Sequence, residues 1–270
     1  MMETHDKEQI RTAVGQRYGE TAKETGAGCG CAPSAGCCGS QGVATAADIS
    51  LSLGYSPGDL LAVPEAANLG LGCGNPQAIA SLRPGESVLD LGSGGGLDCF
   101  LAAQAVGDQG RVIGVDMTPE MVSRARNNAA QAGLSNVEIR LGEIENLPVA
   151  DGTIDVILSN CVINLSPDKD RVFQEAYRVL KPGGRLAISD MLRTADMPPA
   201  ALLDMSWYTA CVAGACSIDE LQALLERAGF ESVRIRLAVD SKPRLEEWIP
   251  GANVEDYAAS ASIEAIRPLA

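Results

Sequence analysis

Short apolar runs alternate with longer segments of helical character between residues 87 and 190. Five such runs predict strands: SVLDL (87–91), RVIGVD (111–116), NVEIRLG (136–142), TIDVILSN (153–160) and RLAISD (185–190). They are mostly continuous apolar stretches, which is typical of strands covered by helices on both faces of a sheet. The alternation predicts a doubly wound, mostly parallel α/β sheet.

The predicted helices have recognisable ends. One helix starts near Leu97, after a glycine-rich turn. Thr118 is the predicted N-cap of the next helix, with Pro119 at its first position and Gly133 at its end. A further helix is expected from Ser166 and Pro167 to Leu180.

Beyond Asp190, the segment ALLDMSWYTACVAGA (201–215) reads as an apolar helical insert. Ser217 and Glu220 form a capping box for the helix that follows. SVRIRLAV (232–239) predicts another strand, and SASIEAIRP (260–268) predicts a last strand at the sheet edge.

The predicted organisation is an N-terminal part and a larger α/β domain. Residues 1–42 combine an amphipathic helix (7–24) with a cysteine- and glycine-rich loop (26–42). Residues 43–270 form the domain, with an insert around 191–216, and the N-terminal segment and this insert are expected to cap a substrate site.

Composition excludes several classes of function. A net charge of −14 argues against nucleic acid as substrate or partner, because phosphate binding needs a cationic face. No run reaches the roughly 18 apolar residues of a membrane span. The charged start MMETHDKEQIR has no signal-peptide core, so we expect a cytoplasmic protein. Nine cysteines in such a protein indicate metal binding or catalysis before structural disulfides.

A glycine loop follows the first predicted strand. In VLDLGSGGGLD, Asp90 lies at the strand end, Gly92, Gly94 and Gly96 form the turn, and Ser93 lies between the first two glycines. Such glycines let the backbone approach a ligand closely. A dinucleotide fold would have G-x-G-x-x-G, and here the third glycine comes one residue early.

The alternative is that the loop resembles the motif of class I S-adenosylmethionine methyltransferases. The resemblance implies that Asp90 faces the cationic amino acid end of that cofactor and that Asp116, followed by Met117, accepts hydrogen bonds from its ribose. GEIENLP (142–148) resembles the segment beside the adenine, which makes Glu143 and Ile144 candidate contacts. Asn160 is a candidate for orienting the cofactor's methionine part or for capping its strand.

The methyl acceptor is constrained by the scarcity of bases. Acceptors with an O–H or N–H need a base, and the single histidine, His5, lies at the terminus. A carboxylate base stays possible, but an acceptor with a lone pair and no proton to lose is favoured. Cys161 follows the fourth strand at its carboxyl end, where ligands bind in such sheets. With Cys73 and Cys211 it could converge on one thiophilic centre.

Several motifs together resemble the arsenite methyltransferase family. These are NLGLGCGNP, VLDLGSGGGLDCFLAA, GVDMTPEMV, LGEIENLP, SNCVINLSPDK and YTACVAGA, spread from about residue 43 to the end of the fold. The resemblance implies a Rossmann-like class I fold, S-adenosylmethionine as cofactor and arsenite, arriving as a thiol adduct, as substrate. It implies that Cys73, Cys161 and Cys211 bind arsenic(III) and are the catalytic residues, and that Cys37 or Cys38 relays arsenic or exchanges disulfides.

The same resemblance implies a role in arsenic detoxification and arsenical resistance, with a glutathione- or thioredoxin-type thiol as reductant. Because the chain ends at residue 270, we expect it to lack the extra C-terminal domain of larger members.

Other interpretations stay open at this point. Free cysteine is often buried as a small apolar residue, and packing is the expected role of Cys99 and an equal alternative for Cys216. The cysteines at 29, 31, 37 and 38 lack the C-x-x-C pairs usual for structural zinc. The chain could also methylate an ordinary metabolite, or be a thiol-based metalloid sensor without catalysis.

Overall fold

The computed structural model describes residues 6–23, 44–238 and 253–269. Seven strands form one sheet in the order β3-β2-β1-β4-β5-β7-β6. The first five pair in parallel, and β7 pairs antiparallel with both β5 and β6. The strands are β1 Ser87–Leu91, β2 Arg111–Asp116, β3 Val137–Leu141, β4 Ile154–Asn160, β5 Leu180–Arg193, β6 Glu231–Leu237 and β7 Ala258–Ile266. The predicted doubly wound, mostly parallel α/β sheet is confirmed.

The predicted edge position of the last strand is wrong. β7 lies between β5 and β6, and β6 forms the edge. The two strands differ in burial: β7 buries Ala261, Ile263 and Ala265, whereas most of β6 is exposed and carries Arg234 and Arg236. Charged residues are typical of a strand edge that must avoid pairing with other chains.

Helices cover both faces of the sheet. They are α1 Lys7–Lys23, α2 Ala46–Ser52, α3 Pro57–Leu61, α4 Gln77–Ala80, α5 Leu97–Val106, α6 Pro119–Gln131, α7 Lys169–Val179, α8 Pro199–Leu202, α9 Met205–Thr209 and α10 Ile218–Ala228. Thr118 is the N-cap of α6, and the capping box of Ser217 and Glu220 opens α10 as predicted. Within the described residues, no helix is both long and apolar enough to cross a membrane.

Two helical predictions need correction. Helix α7 begins at Lys169, because the side chain of Asp168 accepts a hydrogen bond from the Arg171 amide and caps it. The segment expected as one helical insert forms only α8 and α9. Helix α9 stops where Cys211 adopts a left-handed conformation with φ 62°, so Cys211 lies in a turn rather than on a helix.

Two hydrophobic clusters fill the space between sheet and helices. Leu89 and Ile113 point to one face and Val88 and Val112 to the other, as the alternation of side chains along a strand requires. A third, smaller cluster joins the carboxyl end of the sheet to the α8–α9 region and contains Cys73, Cys161 and Cys211.

Candidate active site

A cavity lies at the carboxyl ends of β1, β2 and β4. Its empty volume is about 1130 Å³, part of which is open to solvent. Eight of the predicted cofactor residues line it: Asp90, Gly92, Ser93, Gly94, Asp116, Met117, Ile144 and Asn160. We call it the first cavity.

Two further predicted cofactor residues do not line the first cavity. Gly96 caps α5 with φ 101°, and a Cβ there would meet the Phe100 ring at 2.4 Å, so its role in the fold is steric. Glu143 is exposed and pairs with Arg11, while the buried Glu145 two residues later lines the cavity. A cofactor contact from Glu143 stays a prediction.

The Asp116 carboxylate shapes the glycine loop. One of its oxygens accepts a hydrogen bond from the Gly94 amide at 3.0 Å, and the other accepts one from the Thr118 amide at 2.9 Å. Gly94 has φ 50° and no atom within 4 Å of an added Cβ, so this turn of backbone faces open space. A ligand can therefore approach the loop without meeting a side chain.

Two buried carboxyl groups lie on the wall formed by β1 and α5. Burial, followed by the charge of Asp98, raises the pKa of Asp90 well above its usual range. The Cys99 thiol donates a hydrogen bond to Asp90 at 3.2 Å. Cys99 is thus buried, as its expected packing role requires, and also contacts the acid of the cofactor motif, which the sequence did not reveal.

Asn160 links the first cavity to a cysteine. Its side-chain nitrogen donates to the Tyr55 hydroxyl at 3.1 Å and to the Gly74 carbonyl at 2.8 Å. Its side-chain oxygen accepts a hydrogen bond from the Cys73 amide at 3.0 Å. The strand-end residue therefore fixes the loop that carries Cys73, and Tyr55 in turn donates to Asp98.

The three predicted cysteines come together at this end of the sheet. Cys73, Cys161 and Cys211 are 2%, 4% and 2% exposed. The Cys211 thiol donates to the Cys161 carbonyl at 2.9 Å, and the Cys73 thiol donates to the Ser189 carbonyl at 3.5 Å. Burial, followed by hydrogen bonds with the thiols of Cys211 and Cys73, raises the pKa of the Cys161 thiol well above its usual range.

A second cavity adjoins the first. All three cysteines line it, together with Arg17 and Tyr18 of α1. Of the three cysteines, Cys161 alone also lines the first cavity, and it shares this boundary with Tyr18, Leu53 and residues 70–72. The arrangement places one of the three cysteines at the boundary between the two cavities.

Asp190 was missed as a site residue by the sequence analysis. It ends the fifth predicted strand just as Asp116 ends the second, so the same argument could have found it. One carboxylate oxygen lies within 4.8 Å of the Sγ atoms of Cys73 and Cys161. Burial raises the pKa of Asp190 to about 6. Tyr18 was also missed, because no local pattern shows where α1 docks.

The remaining cysteines divide into two groups. Cys216 is partly buried, packs against the main core and lines neither cavity. Cys37 and Cys38, like Cys29 and Cys31, lie outside the described residues, so their predicted roles stay predictions.

Comparisons with known proteins identify the family. A sequence profile described as a methyltransferase domain matches residues 82–229. An arsenite methyltransferase of Halobacterium salinarum is 49% identical over 273 residues, which is 99% of this chain and 69% of that protein. The chain belongs to the arsenite methyltransferase family.

Two further members of this family match a smaller part of this chain. The human arsenite methyltransferase is 41% identical over 53% of this chain and 40% of its own. The crystal structure of CrArsM, an arsenic(III) S-adenosylmethionine methyltransferase from Chlamydomonas reinhardtii, matches with a TM-score of 0.60 at 33% identity, covering 82% of this chain and 73% of that one.

Proposed function

We propose that this chain transfers the methyl group of S-adenosylmethionine to trivalent arsenic held by Cys73, Cys161 and Cys211, as a step in arsenic detoxification and resistance. The observation that carries the proposal is the position of Cys161. It shares the second cavity with the other two thiols and also faces the first cavity. A methyl donor in the first cavity and an acceptor in the second would then lie next to the same cysteine.

The residues of the first cavity fit S-adenosylmethionine. Asp90 and Asp98 offer buried carboxyl groups, without a described cationic partner, for its ammonium and sulfonium end. Asp116 would accept hydrogen bonds from the ribose, and Ile144 with Met117 would contact the adenine. Nearby positive charge favours the ionised form of such acids. When bound, S-adenosylmethionine supplies an electrophilic methyl carbon.

The cysteines would hold the acceptor in the required geometry. Each cysteine would form one As–S bond as a bond from arsenic to hydroxide or to a carrier thiol breaks, and the cysteine proton would leave with that ligand as water or thiol. Three sulfurs around trivalent arsenic leave its lone pair at the apex of a pyramid. In the transfer an As–C bond would form as the methyl–sulfonium bond breaks and S-adenosylhomocysteine leaves. No proton is removed, so no base is needed, and positioning would supply much of the rate.

Arsenic would enter through the second cavity, which all three thiols line. Its empty volume is about 1310 Å³, including the part open to solvent, and this leaves room for a thiol adduct of arsenite. The Arg17 guanidinium donates to the Thr209 hydroxyl at 2.7 Å and forms no ion pair within the described part of the chain. It could pair with a carboxylate on the incoming thiol.

The thiol chemistry around the reaction belongs to the same proposal. Cys37 or Cys38 would relay arsenic to the site. A glutathione- or thioredoxin-type thiol would reduce any disulfide formed between the cysteines, and a thioredoxin-type protein is the proposed partner. The reaction would take place in the cytoplasm.

The test incubates the full chain with arsenite, a thiol and S-adenosylmethionine labelled in its methyl group. We expect labelled methylarsenic from the parent, and a loss of at least about 100-fold in rate for Cys73→Ser, Cys161→Ser and Cys211→Ser, because a misplaced acceptor costs that much. Cys216→Ser is the matched control and should keep its rate within about threefold, as a substitution away from the reacting groups does. Full activity in Cys161→Ser, or label transferred only to a carbon or oxygen acceptor, would refute the proposal.

A further inference from the structure

Two thiols and one carboxyl group form a compact donor set. Cys73 Sγ, Cys161 Sγ and one carboxylate oxygen of Asp190 all lie within 4.8 Å of one another, and the three residues are buried. Cys211 does not belong to this set. Its thiol instead donates a hydrogen bond to the Cys161 carbonyl. The site thus contains two overlapping sets that share two sulfurs.

The set with Asp190 suits a divalent cation better than it suits arsenic. Zinc binds cysteine sulfur at about 2.3 Å and carboxylate oxygen at about 2.0–2.2 Å in a tetrahedron, which places such donors roughly 3.3–3.8 Å apart. Since the donor atoms lie within 4.8 Å of one another, reaching this spacing requires each pair to approach by at most roughly 1.5 Å. Trivalent arsenic is thiophilic, so a third sulfur suits it better than the carboxylate oxygen.

The Asp190 carboxylate is fixed in orientation by its neighbours. One oxygen accepts hydrogen bonds from the Asn164 side chain at 2.9 Å and from the Met191 amide at 2.8 Å. The other oxygen accepts one from the Ile163 amide at 3.0 Å. Hydrogen bonds of this kind hold metal-binding carboxylates in place. A carboxylate oxygen offers two lone pairs, so the second oxygen keeps one for a ligand.

We propose that Cys73, Cys161 and Asp190 form a binding site for Zn²⁺ and chemically similar divalent cations such as Cd²⁺. Binding displaces the protons of the two thiols to solvent and leaves two thiolates, one carboxylate and one water around the cation. Since Cys73 and Cys161 also belong to the arsenic set, a bound cation excludes arsenite. The cation site stands without the proposed function, whereas the competition rests on it.

The test measures how Asp190→Asn and Cys211→Ser each change the binding of zinc and of arsenite. Zinc and arsenite are titrated separately, by calorimetry, into the full chain in which Cys29, Cys31, Cys37 and Cys38 are replaced by serine. In this background we expect one zinc ion per chain. Asp190→Asn should weaken zinc binding at least tenfold and change arsenite binding less than about threefold. Cys211→Ser should weaken arsenite binding at least tenfold and change zinc binding less than about threefold.

Zinc binding that Asp190→Asn leaves unchanged, or that Cys211→Ser abolishes, would overturn the proposal. Should Asp190→Asn fail to fold, X-ray absorption at the zinc edge on the parent decides. Two sulfurs with oxygen ligands support the site, and three sulfurs overturn it. If each substitution weakens only its own ligand but the protein makes no methylarsenic, the proposed function is refuted and the cation site is not.

Discussion

Two of the site thiols lie on backbone that L-residues rarely adopt. Cys161 and Cys211 have φ 60° and 62°, and only five non-glycine residues in the described ranges have positive φ. Cys211 occupies the position just after the C-cap of α9, where glycine is usual. Strain of this kind collects at functional sites. In the proposed function the sulfurs of these cysteines bind arsenic, which glycine at the same positions could not do.

The cost of that strain can be measured at Cys161. Cys161→Gly should be more stable than Cys161→Ala by about 1 kcal/mol in free energy of unfolding, because glycine adopts positive φ without a Cβ clash. The comparison uses urea unfolding of both variants. At Cys99, inside α5, the alanine variant should instead be the more stable one by about 1 kcal/mol in free energy of unfolding, since glycine weakens a helix interior. Equal stabilities at residue 161 would show that its backbone relaxes.

The thiol of Cys73 should react slowly in the free protein. Burial raises its pKa to about 11, so almost all of it is protonated at neutral pH. Because the thiolate is the nucleophile, alkylation of Cys73 by iodoacetamide should accelerate about tenfold per pH unit between pH 7 and 10. Mass spectrometry of the peptide measures the rate. In urea the alkylation rate of Cys73 should level off near pH 9, the ordinary thiol pKa. If the rate in the native protein also levels off there, the raised pKa of Cys73 is contradicted.

At the scale of elements, helix α1 covers both cavities. Arg11, Val14 and Tyr18 line the first cavity, and Arg17 and Tyr18 line the second. Ile10 lies on the same side of the helix and packs in a small cluster with Val14 and Tyr208. Helix α1 therefore covers both cavities, which in the proposed function hold the methyl donor and the acceptor.

Weakening the docking of α1 should affect both substrates. Ile10→Ala removes buried side-chain volume, and we expect about 2 kcal/mol less stability for the docked helix. Hydrogen exchange in residues 7–23 should become about 30-fold faster, and the KM values for arsenite and S-adenosylmethionine should both rise. Gln16→Ala, on the exposed side of the helix, is the control and should leave the hydrogen exchange and both KM values unchanged. A rise in only one of the two KM values would contradict the claim that α1 covers both cavities.

Sequence patterns within one segment predicted those strands and helices that depend mainly on that segment. The buried parallel strands β1, β2, β4 and β5 were recognisable from continuous apolar runs, and α10 from its capping box. The insert was not, because the left-handed turn at Cys211 ends α9 in a segment whose composition favours helix. The position of β7 was missed since strand pairing depends on contacts distant in sequence.

At the scale of the whole molecule, the site exists only in the folded chain. The rule that ligands bind at the carboxyl ends of strands placed Cys161 at the site and could have placed Asp190. For Cys73 and Cys211 the sequence offered only a possible convergence with Cys161, and the family resemblance assigned them to the site. Asn160 shows why: it fixes the Cys73 loop through a hydrogen bond between residues 87 positions apart.

The central claim is that three cysteines from separate segments share one arsenic atom. X-ray absorption at the arsenic edge, on the full chain with one equivalent of arsenite, counts the sulfur ligands directly. We expect three sulfurs in the parent, and two with one oxygen in Cys73→Ser, Cys161→Ser and Cys211→Ser. Three sulfurs retained in any of these variants, or fewer than three in the parent, would contradict the account.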